Sequence, residues 1–180
     1  MLNFRQSGHP GGSRSKVQQM ISLTLSGTMR WDIRRPDKGL SDRFVLVAGH
    51  CTPLVYSVLA VYHEAMRRML NKTGDQKYAI YGGAERTLTW EDLLTFRSRG
   101  GIAGHAEAEG KSMIFATNTG PSGHGAPPAA GMALALKHAG ADEVRVFAME
   151  GEGGHTAGCH HEVKHTAWGL GLGNLNYLLD

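Results

Sequence analysis

Glycine clusters divide this chain into short patterned segments, and they constrain its fold more than any other feature of the sequence. Of the 180 residues, 25 are glycine, and most of them fall into defined clusters rather than a low-complexity tract. These clusters lie at 8–12, 82–83, 100–101, 120–125, 151–154 and 169–173. Because glycine adopts backbone conformations closed to other residues and lets the chain approach a ligand closely, this layout is typical of an α/β protein whose loops line a binding site.

Between the glycine clusters, the spacing of apolar residues predicts helices that alternate with short buried strands. Helices are predicted over 16–31, 53–70, 129–138 and 160–168, and strands over 44–48, 144–148 and 175–179. A tight loop is predicted over 7–13, and a capping box at 89–92 is expected to open another helix that runs to Arg97. Alternating strands and helices favour a three-layer α/β fold in which helices flank a parallel sheet. We predict one domain over 1–180, with an insertion or lid at about 71–88.

Composition excludes several classes of protein. Hydrophobic residues make up 41% and charged residues 19%, which is typical of a globular domain. The formal charge is only +3 and the basic residues are scattered, so we expect no nucleic acid partner. No apolar run approaches the ~20 residues of a membrane span, and the polar first 15 residues do not resemble a signal peptide. Two cysteines, Cys51 and Cys159, fit reduced thiols, so we expect a soluble cytoplasmic protein.

The strongest single motif comes directly after the strand predicted at 144–148. There Glu152 stands between Gly151 and Gly153. An acid at the carboxyl end of a strand can supply a hard oxygen ligand for a Mg²⁺ or Ca²⁺ ion that bridges phosphates, while the glycines let the backbone come close. The same three residues are also typical of an ordinary strand-to-helix turn, so the motif gains weight only from its context.

That context is a series of five motifs in one order along the chain. They are Ser-Gly-His-Pro-Gly at 7–11, Asp-Arg-Phe-Val-Leu with Gly-His at 42–50, Gly-His-Ala-Glu at 104–107, Thr-Gly-Pro-Ser-Gly-His-Gly at 119–125 and Gly-Glu-Gly at 151–153. The series closely resembles the N-terminal, diphosphate-binding domain of transketolases, over nearly the whole chain except 62–88. The resemblance implies an incomplete thiamine-diphosphate-binding fold and transfer of a two-carbon ketol unit between sugar phosphates.

The resemblance also implies roles for individual residues. His9, His50 and His105 match histidines that line the active-site channel of the family and reach substrate and cofactor, so they are the candidate catalytic residues. Chemistry agrees, because imidazole can donate to a developing alkoxide and move protons near pH 7. Thiamine diphosphate is the implied cofactor, with Mg²⁺ or Ca²⁺ held by Glu152. The candidate cofactor-binding residues are Gly120, Pro121, Ser122, Gly151 and Gly153.

Several positions depart from the family pattern. The metal-binding acid is normally aspartate, and the extra methylene of Glu152 moves the carboxylate by about 1 Å, which Mg²⁺ tolerates badly. Ala157 stands where a glutamate of the subunit contact is usual. A second metal ligand, an asparagine, is expected just beyond the strand that runs into Asp180. We therefore expect a truncated or split subunit, which acts as a homo-oligomer or with a partner chain that carries the pyrimidine-binding domain.

A second group of metal-ligand residue types lies between residues 155 and 165. His161 and His165 are four residues apart on a predicted helix, and His155 and Cys159 have the same spacing, so a transition-metal site is a hypothesis. This group leaves an alternative function open, a stand-alone module with another activity such as metal-dependent hydrolysis. A further alternative is a non-catalytic binding or oligomerising fragment with exposed apolar faces.

Overall fold

The computed structural model describes residues 1–180 as a parallel sheet of three strands with helices on both faces. Strands β1 (Arg43–Leu46), β2 (Val146–Glu150) and β3 (Leu175–Leu179) are neighbours in that order. Phe115 forms an isolated parallel bridge with Phe44, so this segment lies along the outer side of β1. The predicted α/β class with a flanked parallel sheet is confirmed.

Both faces of the sheet are buried at β1 and β2, as the continuous apolar runs of these strands indicate, while β3 at the edge is half-buried. Successive side chains of a strand point to opposite faces. On one face, Phe44, Leu46, Phe147 and Met149 belong to a cluster of 20 buried residues. On the other, Val45, Val47, Val146 and Ala148 belong to a cluster of 10.

Seven α-helices surround the sheet, and none is both long and apolar enough to cross a bilayer. They are α1 (Leu2–Arg5), α2 (Pro10–Ser15), α3 (Val17–Leu25), α4 (Thr52–Thr73), α5 (Trp90–Leu94), α6 (Ala126–His138) and α7 (Gly158–Gly169). The larger cluster contains residues of α3, α4 and α5, and the smaller one contains residues of α6 and α7.

The first predicted helix begins within one residue of its expected start but is shorter, and another helix precedes it. The tight loop predicted over 7–13 is wrong in its second half, since α2 begins at Pro10, whose fixed φ and missing amide suit a first helical turn. Helix α3 ends at Leu25 rather than near residue 31. Gly27, two residues after the end of the helix, has a φ of +80°. An α-helix does not continue through a residue in this left-handed conformation.

The insertion predicted at about 71–88 begins inside a helix, because α4 continues to Thr73. Gly74 caps this helix with a φ of +69°. Two short 3₁₀ turns lie between this glycine and Leu88, where the segment returns to the core. The amide of Leu88 donates to Nδ1 of buried His63 at 2.9 Å. Burial lowers the pKa of His63 to about 4, so this histidine is a neutral core residue.

The capping box at the start of α5 is confirmed. The hydroxyl of Thr89 accepts from the amide of Asp92, and the carboxylate of Asp92 accepts from the amide of Thr89 at 2.8 Å. The helix is shorter than predicted, since it ends at Leu94 and the chain reaches a left-handed φ of +57° at Arg97.

At the amino end of the sheet, the buried carboxylate of Asp42 joins two segments of the chain. It accepts the amides of Arg30 at 2.8 Å and Arg145 at 2.9 Å, and both guanidinium groups lie within 3.2 Å. Burial would raise the pKa of Asp42, but the hydrogen bonds and charges of the two arginines outweigh it and lower the pKa. Ion pairs between Asp42 and the two arginines therefore cover the amino end of the sheet.

Candidate functional site

The candidate site lies at the carboxyl edge of the sheet, where the ends of parallel strands meet and ligands of open α/β sheets bind. Strand β1 leads into a 3₁₀ turn over Gly49–Cys51, and β2 leads through Gly151 into another over Glu152–Thr156. Strand β3 is followed by Asp180. The topology therefore brings His50 and the Gly-Glu-Gly motif to one edge.

Two of the predicted catalytic histidines are in contact at this edge, and the third lies nearby. The rings of His9 and His50 meet edge to face, with centroids 4.7 Å apart. His105 borders Gly120, with its Cγ 4.0 Å from the position a Cβ would take there. Burial lowers the pKa of half-buried His50, and the charges of His9, Lys16 and His105 add to the effect. His50 is therefore neutral near pH 7, with one ring nitrogen to donate and one to accept a proton.

The loop over 119–125 packs directly against the turn after β1. A Cβ on Gly49 would stand 2.7 Å from the amide nitrogen of Gly120, so only glycine fits there. The hydroxyl of Thr119 donates to the carbonyl of Leu46 at 2.5 Å, and its amide donates to the carbonyl of Ala106 at 3.0 Å. These contacts hold the loop between the segments that carry His50 and His105.

A buried glutamate at the end of β2 joins this loop to the Gly-Glu-Gly turn. Oε2 of Glu150 accepts from the amide of Gly123 at 2.8 Å, and Oε1 accepts from the amide of Gly151 at 2.9 Å. Burial raises the pKa of Glu150 more than the two amide hydrogen bonds lower it. Sequence reasoning missed Glu150, although an acid as the last residue of an apolar strand is a signal that could have found it.

Sequence reasoning also missed a buried cation beneath the Gly-Glu-Gly turn. The Lys16 side chain is 3% exposed, and its Nζ lies 3.0 Å from a carboxylate oxygen of Asp180. Hydrogen bonds from Ser15 and Lys16 lower the pKa of Asp180. A Cβ on Gly151 would stand 3.2 Å from the ammonium. The ion pair places the ammonium of Lys16, with its charge shared by Asp180, close to the predicted cofactor-binding backbone.

The backbone at this edge fits a diphosphate better than the side chains fit a metal ion. No atom lies within 4 Å of the Cβ position at Gly153, and only His105 reaches that distance at Gly120, so both stretches are open to a ligand. Pro121 and Glu152 are exposed and Ser122 is half-buried beside them. No group of three or more His, Cys, Asp or Glu side chains is arranged to hold a metal ion. Glu152 therefore stays the predicted metal ligand, without an assembled ligand set around it.

The structure does not bring the residues of the second predicted metal site, His155, Cys159, His161 and His165, together as their spacing suggested. His161 and His165 lie on the exposed side of α7, and Sγ of Cys159 lies 3.7 Å from the carbonyl of Gly123. The structure instead places the ring of His155 4.3 Å from that of fully buried His160. A transition-metal site in this segment therefore stays a prediction.

Comparisons with known proteins identify relatives along almost all of the chain. No family model matches it. The transketolase of Streptococcus pyogenes serotype M6 is 32% identical over 196 residues, which cover 99% of the chain and 23% of that protein. The solved transketolase of Leishmania mexicana is 26% identical with a TM-score of 0.76, over 99% of the chain and 25% of that structure. A Pichia stipitis transketolase in complex with sedoheptulose-7-phosphate is 27% identical with a TM-score of 0.70, over 99% and 24%.

The fold and its glycine-lined edge define an α/β domain of the kind that transketolases contain. Relatives of that name match almost the whole chain, so the chain is similar to part of a transketolase, and the resemblance predicted from its motifs is confirmed. It spans about a quarter of the length of the relatives it matches.

Proposed function

We propose that this chain is the diphosphate-binding part of a thiamine-diphosphate-dependent enzyme that transfers a two-carbon ketol unit between sugar phosphates. The observation that carries the proposal is the gathering of His9, His50 and His105 beside open glycine backbone at the carboxyl edge of the sheet. This arrangement supplies proton donors and acceptors next to a surface that suits a phosphate-bearing cofactor.

Bound thiamine diphosphate would supply the carbanion chemistry that separates the two-carbon unit from a ketose. The residues of the chain would orient the sugar and handle its protons. Neutral His50 can donate a hydrogen bond to a substrate oxygen or accept a hydroxyl proton, because its pKa is lowered. His9, in contact with it, is placed to share the same substrate.

The cofactor would be held mainly by backbone. Gly120, Pro121 and Ser122 would contact one side of it, and the open turn at Gly151 and Gly153 would receive the diphosphate. Lys16 beneath this turn would favour the negative charge of the phosphates. Glu152 would offer one carboxylate to Mg²⁺ or Ca²⁺, and the described side chains provide no assembled set around it.

We propose that the chain acts with a partner, either a second copy or a chain that carries the pyrimidine-binding domain. An apolar groove of about 500 Å³ between the N-terminal helices and α4 is lined by Val17, Ile21 and Val61. The last two are 41% and 50% exposed, which is high for side chains of this size. These surfaces support association of the chain. Light scattering over rising concentrations tests for a homo-oligomer, and a strictly monomeric chain would leave the partner chain as the proposal.

Calorimetric titration with thiamine diphosphate and Mg²⁺ tests the cofactor, for the chain alone and mixed with the partner chain. We expect saturable binding, and in the mixture transfer of a ketol unit from a ketose phosphate to an aldose phosphate. His50→Ala should reduce the transfer by about 100-fold or more, the usual scale for a general acid or base. The matched control is His138→Ala, since His138 is exposed at the end of α6. No binding in either sample would refute the proposal.

A further inference from the structure

The carboxylate of Glu150 connects two loops that are otherwise separate in the chain. The residue is the last of β2 and is fully buried. Its two oxygens accept from the amides of Gly123 and Gly151. Gly123 lies 27 residues away in sequence, and Gly151 is the next residue. The first amide belongs to the loop over 119–125, and the second opens the Gly-Glu-Gly turn. One side chain therefore bridges both parts of the predicted cofactor surface.

The surroundings of this carboxylate are shaped to receive it. The carboxyl group of Glu150 occupies the space in which a side chain on Gly154 would stand. Gly123 has a φ of +82°, and a Cβ there would stand 2.7 Å from the carbonyl oxygen of Gly154. Glycine is thus required on both sides of the carboxylate, one for close approach and one also for its backbone conformation.

An ordinary core role does not account for a glutamate at this position. A buried carboxylate without a paired cation is costly, and the ammonium of Lys16, whose charge acts on Glu150, is engaged by Asp180. The neighbouring positions of β2 carry apolar residues, and an apolar side chain would leave one buried and one partly buried amide without acceptors. Charge-assisted hydrogen bonds to backbone amides are short and directional, which suits the positioning of a loop.

We propose that Glu150 is a positioning residue that fixes the 119–125 loop against the Gly-Glu-Gly turn, so that the backbone that would hold the diphosphate is arranged before the ligand arrives. Arranging a site in advance lowers the entropy lost on binding. The ligand part of this inference rests on the proposed function. The link between the two loops does not, because it concerns the free chain.

The link is tested by NMR of the free chain, with amide exchange at Gly123 and Gly151 as the readout. In Glu150→Met both amides lose their acceptor, and we expect their proton resonances to move upfield and their exchange to accelerate by about 10-fold or more. Glu150→Gln keeps one acceptor oxygen and should restore the hydrogen bond of one of the two amides. We therefore expect amide protection to decrease in the order Glu, Gln, Met. If the Met variant does not fold, the Gln variant alone decides.

Asp42→Asn is the matched control, since Asp42 is a buried carboxylate that also accepts two backbone amides, at the other end of the sheet. It should change the amides of Arg30 and Arg145 and leave those of Gly123 and Gly151 as they are. Unchanged amides of Gly123 and Gly151 in both Glu150 variants would overturn the proposal.

Titration of the same variants with thiamine diphosphate and Mg²⁺ tests the ligand part. We expect the dissociation constant to rise by about 10-fold in Glu150→Gln and to be unchanged in Asp42→Asn. Equal affinity in the wild type and the Gln variant would overturn the ligand part. If the wild type binds nothing, the proposed function fails, while the amide data still decide whether Glu150 links the loops.

Discussion

The two ends of the sheet each contain a buried carboxylate that accepts two backbone amides, yet the two environments differ in charge. At the amino end, Asp42 is surrounded by the guanidinium groups of Arg30 and Arg145, and its pKa is lowered. At the carboxyl end, the hydrogen bonds to Glu150 come from two glycine amides, and burial raises its pKa. The first arrangement closes the end of the sheet, and the second leaves the backbone of two turns exposed beside it.

The difference is the one expected if the amino end contributes stability and the carboxyl end, as proposed above, binds a ligand. Arginines at the amino end satisfy the carboxylate and fill the surrounding surface. The carboxyl end instead combines glycine turns, a lysine beneath one of them and two histidines in contact, features that suit an anionic ligand. Sites of this kind are commonly less stable than the rest of their fold.

The largest effect is expected at the amino end. Asp42→Ala leaves two partly buried arginine amides without their charged acceptor, whereas the half-exposed guanidinium groups can be solvated, so we expect the free energy of unfolding to fall by about 2–4 kcal/mol. Urea denaturation measures the change. Exposed Asp142→Ala is the control and should be near neutral. A loss below about 1 kcal/mol for Asp42→Ala would contradict the role of this carboxylate.

A moderate effect is expected where the loops of the carboxyl end touch. Gly49→Ala places a Cβ 2.7 Å from the amide nitrogen of Gly120 and 2.8 Å from the carbonyl carbon of Thr119, so backbone must move. We expect a loss of roughly 1–3 kcal/mol in urea denaturation, as for other overpacked sites, together with weaker cofactor binding. Gly131→Ala in α6 meets no atom within 4 Å and should stabilise the helix by about 0.5–1 kcal/mol. Equal effects of the two changes would refute the tight contact.

Low pH should reduce the stability that Asp42 contributes at the amino end of the sheet. Because the pKa of Asp42 is lower in the folded chain than its ordinary value of 3.8, its stabilising contribution is complete above that value and is lost as the pH falls through the folded pKa. Each unit of lowering corresponds to about 1.4 kcal/mol. The unfolding free energy of Asp42→Asn, measured from pH 5 to pH 2, should fall less steeply than that of the wild type. Parallel curves would show that Asp42 does not carry the effect.

The smallest effect on stability is expected for Lys16→Met. The change removes a buried ammonium whose partner, Asp180, is 25% exposed and can be solvated, so the unfolding free energy should change by less than about 1 kcal/mol. Affinity for thiamine diphosphate should nevertheless fall, because positive charge is lost beneath the Gly151 turn. Lys72→Met, on the exposed end of α4, is the control. If the affinity for thiamine diphosphate is unchanged in both variants, Lys16 does not contribute to the site.

Much of the fold could be predicted because alternating apolar segments encode it locally. Strand β3 has the predicted bounds, and β2 is displaced by two residues, since Val144 lies in the turn before it and Glu150 still pairs with β3. The position of α2 was missed because the motif at 7–11 was interpreted as a loop, although Pro10 is a favourable first residue of a helix.

The candidate site was predictable only in part. The contact of His9 with His50 agrees with a series of motifs that resemble one family. The motif series did not point to Lys16 or Glu150, because their contacts are with partners 164 and 27 residues away, although the position of Glu150 at the end of an apolar strand was a usable signal. Helical spacing placed His161 and His165 together but did not show that both face solvent on α7.

The central claim is that the carboxyl edge recognises a diphosphate, and the most direct test compares two ligands that differ only in that group. The chain is titrated calorimetrically with thiamine diphosphate and with thiamine, each in the presence of Mg²⁺. We predict saturable binding of thiamine diphosphate and at least about 10-fold weaker binding of thiamine, since charge-assisted contacts to the phosphates would be lost. Equal affinity for the two ligands, or binding of neither, would contradict the claim.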